Sequence, residues 1–220
     1  MRSALIVWGG WDGHDPEQAA AIYRRWLHED GFTVRVETDP EVFLDPAIRE
    51  LSLIIPCVTM GKISREAANN LASAIESGVG MGGHHGTMGD SFHDSQVYQF
   101  IVGGQWAAHP GGIIDYTVEV TRPDDPVMAG IPASFPYHSE QYYMLVDPAN
   151  EVLATTRFTG AHASWIDGVV MPVVWKKMYG KGRVFYSALG HRATEFEVTE
   201  MATILRRGIN WAARAEPESR

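Results

Sequence analysis

Three things are scarce in this chain of 220 residues: cysteine, positive charge and long apolar runs. The single cysteine, Cys57, excludes an internal disulfide framework and a paired-cysteine zinc site. It suits a reducing compartment, so the expected location is cytoplasmic. Lys and Arg number 18 against 27 Asp and Glu, a net charge of -9, and no basic cluster could neutralise successive phosphates, which excludes nucleic acid as the expected partner. No apolar run approaches the ~20 residues of a membrane helix, so no membrane contact is expected. The opening MRSALIVWGG lacks the small-residue cleavage pattern of a leader and reads as a first β-strand. With 45% hydrophobic residues the chain can bury one core. The expected organisation is a single domain over residues 1–214, with AEPESR at 215–220 as a frayed tail. There is no internal repeat and no linker long enough to split it.

Strand and helix patterns alternate along the first half. Ala4–Val7 is a short apolar strand, and Pro16 opens a segment whose Ala19, Ile22, Tyr23, Trp26 and Leu27 share one helical face. Phe32–Val36 and the LSLII run at Leu51–Ile55 read as further strands, the latter buried on both faces. Ser64 can cap a helix carrying Ala67, Ala68, Leu71, Ala72 and Ile75 that stops at Gly78, and Val79–Gly83 follows as a fourth strand. This order predicts an α/β fold whose mainly parallel central sheet is covered by helices on both faces, a three-layer sandwich. The second half is less regular. Tyr116–Val120, Val152–Thr156, Val169–Trp175 and Val184–Leu189 read as strands, the proline-rich Pro123–Pro136 stretch as loops, and Glu197–Ala213 as a closing amphipathic helix.

In an open parallel sheet ligands bind at the carboxyl ends of the strands, where loops diverge. The predicted strand ends carry four of the nine histidines: His14 after the first, His84 and His85 after the fourth, His191 after the last. The GVGMGGHHGTMGDSFHD stretch at 78–94 is the sharpest instance. Its Gly82, Gly83 and Gly86 are expected to let the backbone turn and approach a neighbour closely.

The runs GVGMGGHHGTMGDSF, GGQWAAHP (103–110), DDPVMAGIPASFPYHSEQYYM (124–144) and PVVWKKMYGKGRVFYSALGH (172–191) together resemble the ThuA-like trehalose-utilization family, in that family's order. The resemblance spans nearly the whole chain. It implies a class I glutamine-amidotransferase-like fold related to the flavodoxin-like sheet, and a role in carbohydrate catabolism beside dehydrogenases that form 3-keto glycosides. Amidotransferases of this fold place a cysteine nucleophile at the turn after the fourth strand. Here that turn reads Gly82-Gly83-His84-His85-Gly86, without a thiol, so glutamine hydrolysis is not expected. Among apolar neighbours, Cys57 reads as an inert buried thiol.

A lone histidine is more often structural than catalytic, and that reading is preferred for His28 and His93, both placed on faces of predicted helices, while His162 stays undecided. His85 occupies the elbow where this fold displays its working group. With Glu140, grouped with His138 and Tyr142, and with His191, it forms the expected catalytic set. Trp8, Trp11, Asp12, Trp106, Tyr142 and Arg192 are the expected substrate-binding residues, the indoles as stacking platforms for a sugar. His14, His85, His109 and His191 could hold a divalent metal, zinc or manganese, though they lack a short-spaced ligand motif. No nucleotide cofactor is indicated. A 3-keto sugar suits such equipment: its carbonyl acidifies the C2 proton, removal by His or Glu gives an enediolate, the C1 substituent leaves, and water adds. Two alternatives stand beside this lyase or hydrolase: a non-catalytic sugar-binding or regulatory protein, and a keto-sugar isomerase. Exposed Trp or Tyr would equally serve a homo-oligomer contact.

Overall fold

The computed structural model describes residues 2–214; the tail expected at 215–220 lies outside the described residues. Eleven strands and five α-helices follow in chain order: β1 (Ser3–Gly10), α1 (Pro16–Glu29), β2 (Thr33–Glu37), β3 (Leu53–Thr59), α2 (Arg65–Glu76), β4 (Gly80–His84), α3 (His85–Gly89), α4 (Gln96–Val102), β5 (Gly104–Ala108), β6 (Ile113–Val120), β7 (Ser134–Glu140), β8 (Tyr143–Val146), β9 (Glu151–Arg157), β10 (Val170–Tyr179), β11 (Gly182–Ser187) and α5 (Thr199–Ala212). Nine strands form one sheet in the order β2-β1-β3-β4-β11-β10-β9-β6-β7, and β5 pairs with β8 separately. The first five run parallel. From β11 outward every pairing is antiparallel. The fold is thus the expected flavodoxin-like α/β sandwich with an antiparallel extension on one side.

Local chemistry explains the elements. Helix α1 starts on Pro16, whose missing N–H is unneeded in a first turn, and buries Ala19, Tyr23, Trp26 and Leu27. Ser64 Oγ accepts the Ala67 N–H to cap α2. Strand β3 is buried at all seven positions, as a central parallel strand must be. Its pairing with β4 ends at Ile54–Met81, just before Pro56, which has no N–H to offer a ladder. Strand β4 alternates between the two helical layers: Gly80 and Gly82 lie against α5, where added Cβ atoms would stand 2.1 Å from the Ala212 carbonyl oxygen and 3.1 Å from Ile209. Gly83 faces Met88 of α3 on the other side.

Two expectations need correction in the second half. The Pro123–Pro136 stretch is loop only to Ala133, because Ser134–Pro136 already belongs to β7. Proline is tolerated there since β7 is the outer edge of the sheet. His93 is not helical: it lies in a turn between α3 and α4. Strands β5 and β8 were not anticipated, being four or five residues long and without clean alternation. Along β10 the register with β9 shifts at Pro172–Val174 and again at Val174–Trp175, bulges that bend the antiparallel side.

No helix among the described residues is long and apolar enough to cross a membrane.

Candidate active site

The carboxyl ends of β1, β3, β4 and β11 open on one edge of the parallel sheet, and three of the four strand-end histidines meet there. His14 ends a short turn (Asp12–His14) after β1, His85 opens α3 directly after β4, and His191 follows β11. His85 has φ +45°, the left-handed conformation a non-glycine residue adopts only when its surroundings hold it there. The turn is therefore made by the histidine itself. Gly82, Gly83 and Gly86 have no positive φ, and their role is close approach: a Cβ on Gly86 would lie 2.2 Å from His14 Cε1 and 2.9 Å from the Tyr142 hydroxyl.

The fourth member is Glu140, at the end of β7. Its Oε2 lies 3.1 Å from His85 Nε2, 3.3 Å from His191 Nδ1 and 4.0 Å from His14 Nε2. These four atoms fall within 4.8 Å of one another, and all four side chains are largely buried. A tetrahedral zinc with bonds of about 2.0–2.1 Å holds its ligand atoms about 3.3–3.4 Å apart. The distances from Glu140 to His85 and His191 are close to that edge length, and His14 stands farther off at 4.0 Å.

The far sides of the rings define their protonation. His85 Nδ1 donates to the Ala188 carbonyl at 2.8 Å, so its Nε2 presents a lone pair to Glu140. His14 Nδ1 is held by Thr59 Oγ1 at 2.7 Å, which turns its Nε2 inward. Burial, reinforced by the neighbouring His85 and His191 rings and opposed by Glu140, pushes His14 down to about 2, and burial lowers His85 as well. Both rings are neutral at pH 7. Burial alone would raise the Glu140 carboxyl, but the His191 and His85 rings in contact with it outweigh burial and hold the group well below the carboxylate range. Imidazole nitrogens of His14, His85 and His191 and a carboxylate oxygen of Glu140 thus face one point. That donor set fits a divalent cation, with carbonyl and hydroxyl partners fixing the histidines from behind as metal-binding imidazoles require.

The remaining expected residues divide around this cluster. Tyr142 stacks on His85 at 3.9 Å. His109 stands at the margin, Nε2 3.7 Å from Glu140 Oε1, with Trp106 5.6 Å away ring to ring. Trp11 packs edge-on to His14 at 4.8 Å and is half exposed, with Asp12 exposed on the same turn. Arg192 binds Asp15 at 3.2 Å, tying the β1 and β11 loops together beside the cluster. Trp8 is elsewhere: it lines a groove with Glu17, Arg24, Arg25 and His28. His138 points outward to Asp115, 2.7 Å away, and is exposed where Ser139 and Glu140 at the end of β7 are buried, so it does not join Glu140. His84 faces the opposite layer, its Nδ1 on the Tyr23 hydroxyl at 2.6 Å. Burial lowers it to about 3. His162 is exposed and its ring lies against Gly111. Cys57 is fully buried, and burial raises its thiol to about 12, which makes it unreactive.

Sequence reasoning missed Thr59, which announces nothing by spacing. It also missed Glu195, which accepts from Tyr137 at 2.6 Å and Ser139 at 3.0 Å and so fixes the end of β7. The third omission is Asp90, buried beside Tyr142 and in contact with His93. Burial raises its carboxyl, with the Glu140 charge adding and His93 and His109 opposing. A DSFHD run could have drawn attention to it.

The family model for trehalose utilisation matches residues 3–212. Among solved structures, a ThuA-like protein from Bacteroides uniformis is 23% identical with a TM-score of 0.78, over 96% of this chain and 91% of that one. A ThuA-like protein from Parabacteroides merdae is 17% identical with a TM-score of 0.77, over 100% and 92%. A β-galactosidase from Bacillus circulans sp. alkalophilus matches at 13% identity and a TM-score of 0.61, over 97% of this chain and 31% of its own. No curated protein matches the chain.

Proposed function

The chain belongs to the trehalose-utilisation family, and from that premise we propose that it is a metal-dependent enzyme of carbohydrate catabolism that cleaves a 3-keto glycoside. The observation that carries this reading is the convergence of His14, His85, His191 and Glu140 on one point. These four side chains would hold a divalent cation, zinc or manganese, which would supply Lewis-acid stabilisation for an oxyanion developing on the sugar carbonyl. Their lone pairs are then engaged, so proton transfer falls to neighbouring groups. His109, at the margin beside Glu140, takes the C2 proton. Trp106 and Trp11 offer stacking faces for the ring, and Tyr142, packed on His85, closes the space beside the cation. With the C2 electron pair released, the C1 substituent leaves and water adds at C1. The lone, buried thiol suits a cytoplasmic setting.

The test is metal content by inductively coupled plasma mass spectrometry on protein purified without chelators, for wild type, His85→Ala and Glu140→Gln, together with turnover of a 3-keto glucoside. Near-stoichiometric zinc or manganese that both substitutions remove, with turnover lost in parallel, is the expected result. Metal-free wild-type protein that still turns over the substrate would overturn the metal assignment, and metal-loaded protein without turnover would overturn the substrate.

A further inference from the structure

Asp90 and His93 form a second carboxylate–imidazole pair at the rim of the same crevice. Asp90 ends α3, five residues after His85, and its backbone is fixed on both sides: its N–H donates to the Gly86 carbonyl at 3.2 Å and its carbonyl accepts from Met60 N–H at 2.8 Å. The carboxylate is buried, with 5% of the side chain exposed, and its Oδ1 contacts His93 Nε2, whose own side chain is 38% exposed. In this ion-pair contact Nε2 faces the carboxylate, which leaves Nδ1 as the nitrogen free to carry and release a second proton. Buried anchor, oriented ring and open far edge are the arrangement in which a carboxylate positions a histidine for proton transfer.

The ring also lies in the right row. His93 is tilted 30° against Trp106 with centroids 6.2 Å apart, and Trp106 in turn neighbours His109 at 5.6 Å and Tyr142 at 6.2 Å. Tyr142 is stacked on His85. The row runs from the cluster to the rim, so a hexose lying along it with its ketone at the cluster has its C1 oxygen toward the rim.

We propose that His93, held by Asp90, is the general acid that protonates the departing glycosidic oxygen. This rests on the keto-glycoside reading above. The C2–H proton passes to His109 and its electron pair forms the C1–C2 double bond. The C1–O bond breaks with its electrons on oxygen, and the Nδ1 proton of a doubly protonated His93 passes to that alkoxide, leaving the neutral ring with its Nε2–H toward Asp90. Water then adds its hydroxyl to C1 and returns a proton to His93, while His109 returns the C2 proton.

The full-length metal-loaded protein and its His93→Ala and Asp90→Asn variants are compared on methyl and p-nitrophenyl 3-keto-glucosides. Nitrophenolate leaves without help, so His93→Ala is expected to lose about 10²–10³-fold in kcat on the methyl glycoside and less than about 10-fold on the nitrophenyl one. Asp90→Asn follows with a smaller loss in the same ratio. Metal content stays at the wild-type level in both variants, and retained nitrophenyl turnover shows that they fold. Equal losses on both substrates, or none on either, overturn the assignment and reduce the pair to a loop anchor. Wild-type protein inactive on both substrates overturns the keto-glycoside reading itself, and this proposal with it.

Discussion

The parallel and antiparallel halves of the sheet make unequal contributions to one site. The parallel half supplies the three histidines from strand ends that this architecture always gathers on one edge, so their meeting follows from topology. Glu140 comes from β7, five strands away from β4 along the ladder, and yet stands 3.1 Å from His85. Only the bending of the antiparallel half back over the edge of the parallel half accomplishes that, through the bulged β10 and the hydrogen bonds that Glu195 makes to Tyr137 and Ser139. One half offers imidazole nitrogens; the other brings the carboxylate that makes them a candidate cation site.

The sharpest break of this division is Glu140→Ala. Outer partners of metal ligands are worth about 10–100-fold in affinity, so losing the charged ligand itself should cost more than about 100-fold, measured by competition with a chromophoric chelator. Thr59→Val tests the orienting side from the parallel half. It should lower metal affinity about 10–100-fold with little change in urea midpoint, because it releases His14 without touching Glu140. If Thr59→Val left affinity unchanged, His14 would be held by packing alone.

Stability offers two further tests. Gly86→Ala forces a methyl group against His14 and Tyr142 and should cost about 1–3 kcal/mol in urea unfolding, with metal binding lost in parallel. In metal-free protein, His14 and His84 have folded pKa values lowered to about 2 and about 3 from 6.5, and His85 is lowered too. Below pH 6.5 the unfolded chain takes up protons that these buried rings refuse. Stability therefore falls as pH drops from about 6.5, by about 1.4 kcal/mol per pH unit for each histidine once the unfolded ring is fully titrating. Glu140, whose folded pKa is depressed, adds to the loss in the carboxylate range further down. His14→Gln should make the slope of unfolding free energy between pH 5 and 6 shallower by about one proton. The smallest effect is expected at His138, exposed on Asp115 outside the crevice: His138→Ala should shift stability by less than about 0.5 kcal/mol and leave metal content unchanged. A large effect there would restore His138 to the site beside Glu140.

Legibility followed the same division. In the parallel half, β1, α1, β3, α2, β4 and β11 carry apolar runs or one-sided helical faces, and the ends of β1, β4 and β11 pointed to His14, His85 and His191 directly. The antiparallel half read less well, because β5 and β8 are short and bury few residues, and because Pro132 and Pro136 give the start of β7 the look of a loop. His93, taken for a helix-face residue, proved to be a turn residue against Asp90, since nothing local separates a turn after a five-residue helix from the helix itself.

What the sequence by itself determined is the order of strands and helices in the parallel half, the strand-end placement of the histidines and the absence of an elbow thiol. These depend on periodicity and on neighbours a few positions away. The tertiary structure alone decided that His84 turns to Tyr23 while His85 enters the crevice, that His138 points out while Glu140 points in, and that Trp8 lies in another groove. Adjacent or next-but-one residues part company there because the positive φ of His85 and the curl of β7 set side-chain direction, and both are imposed by packing against residues distant in the chain.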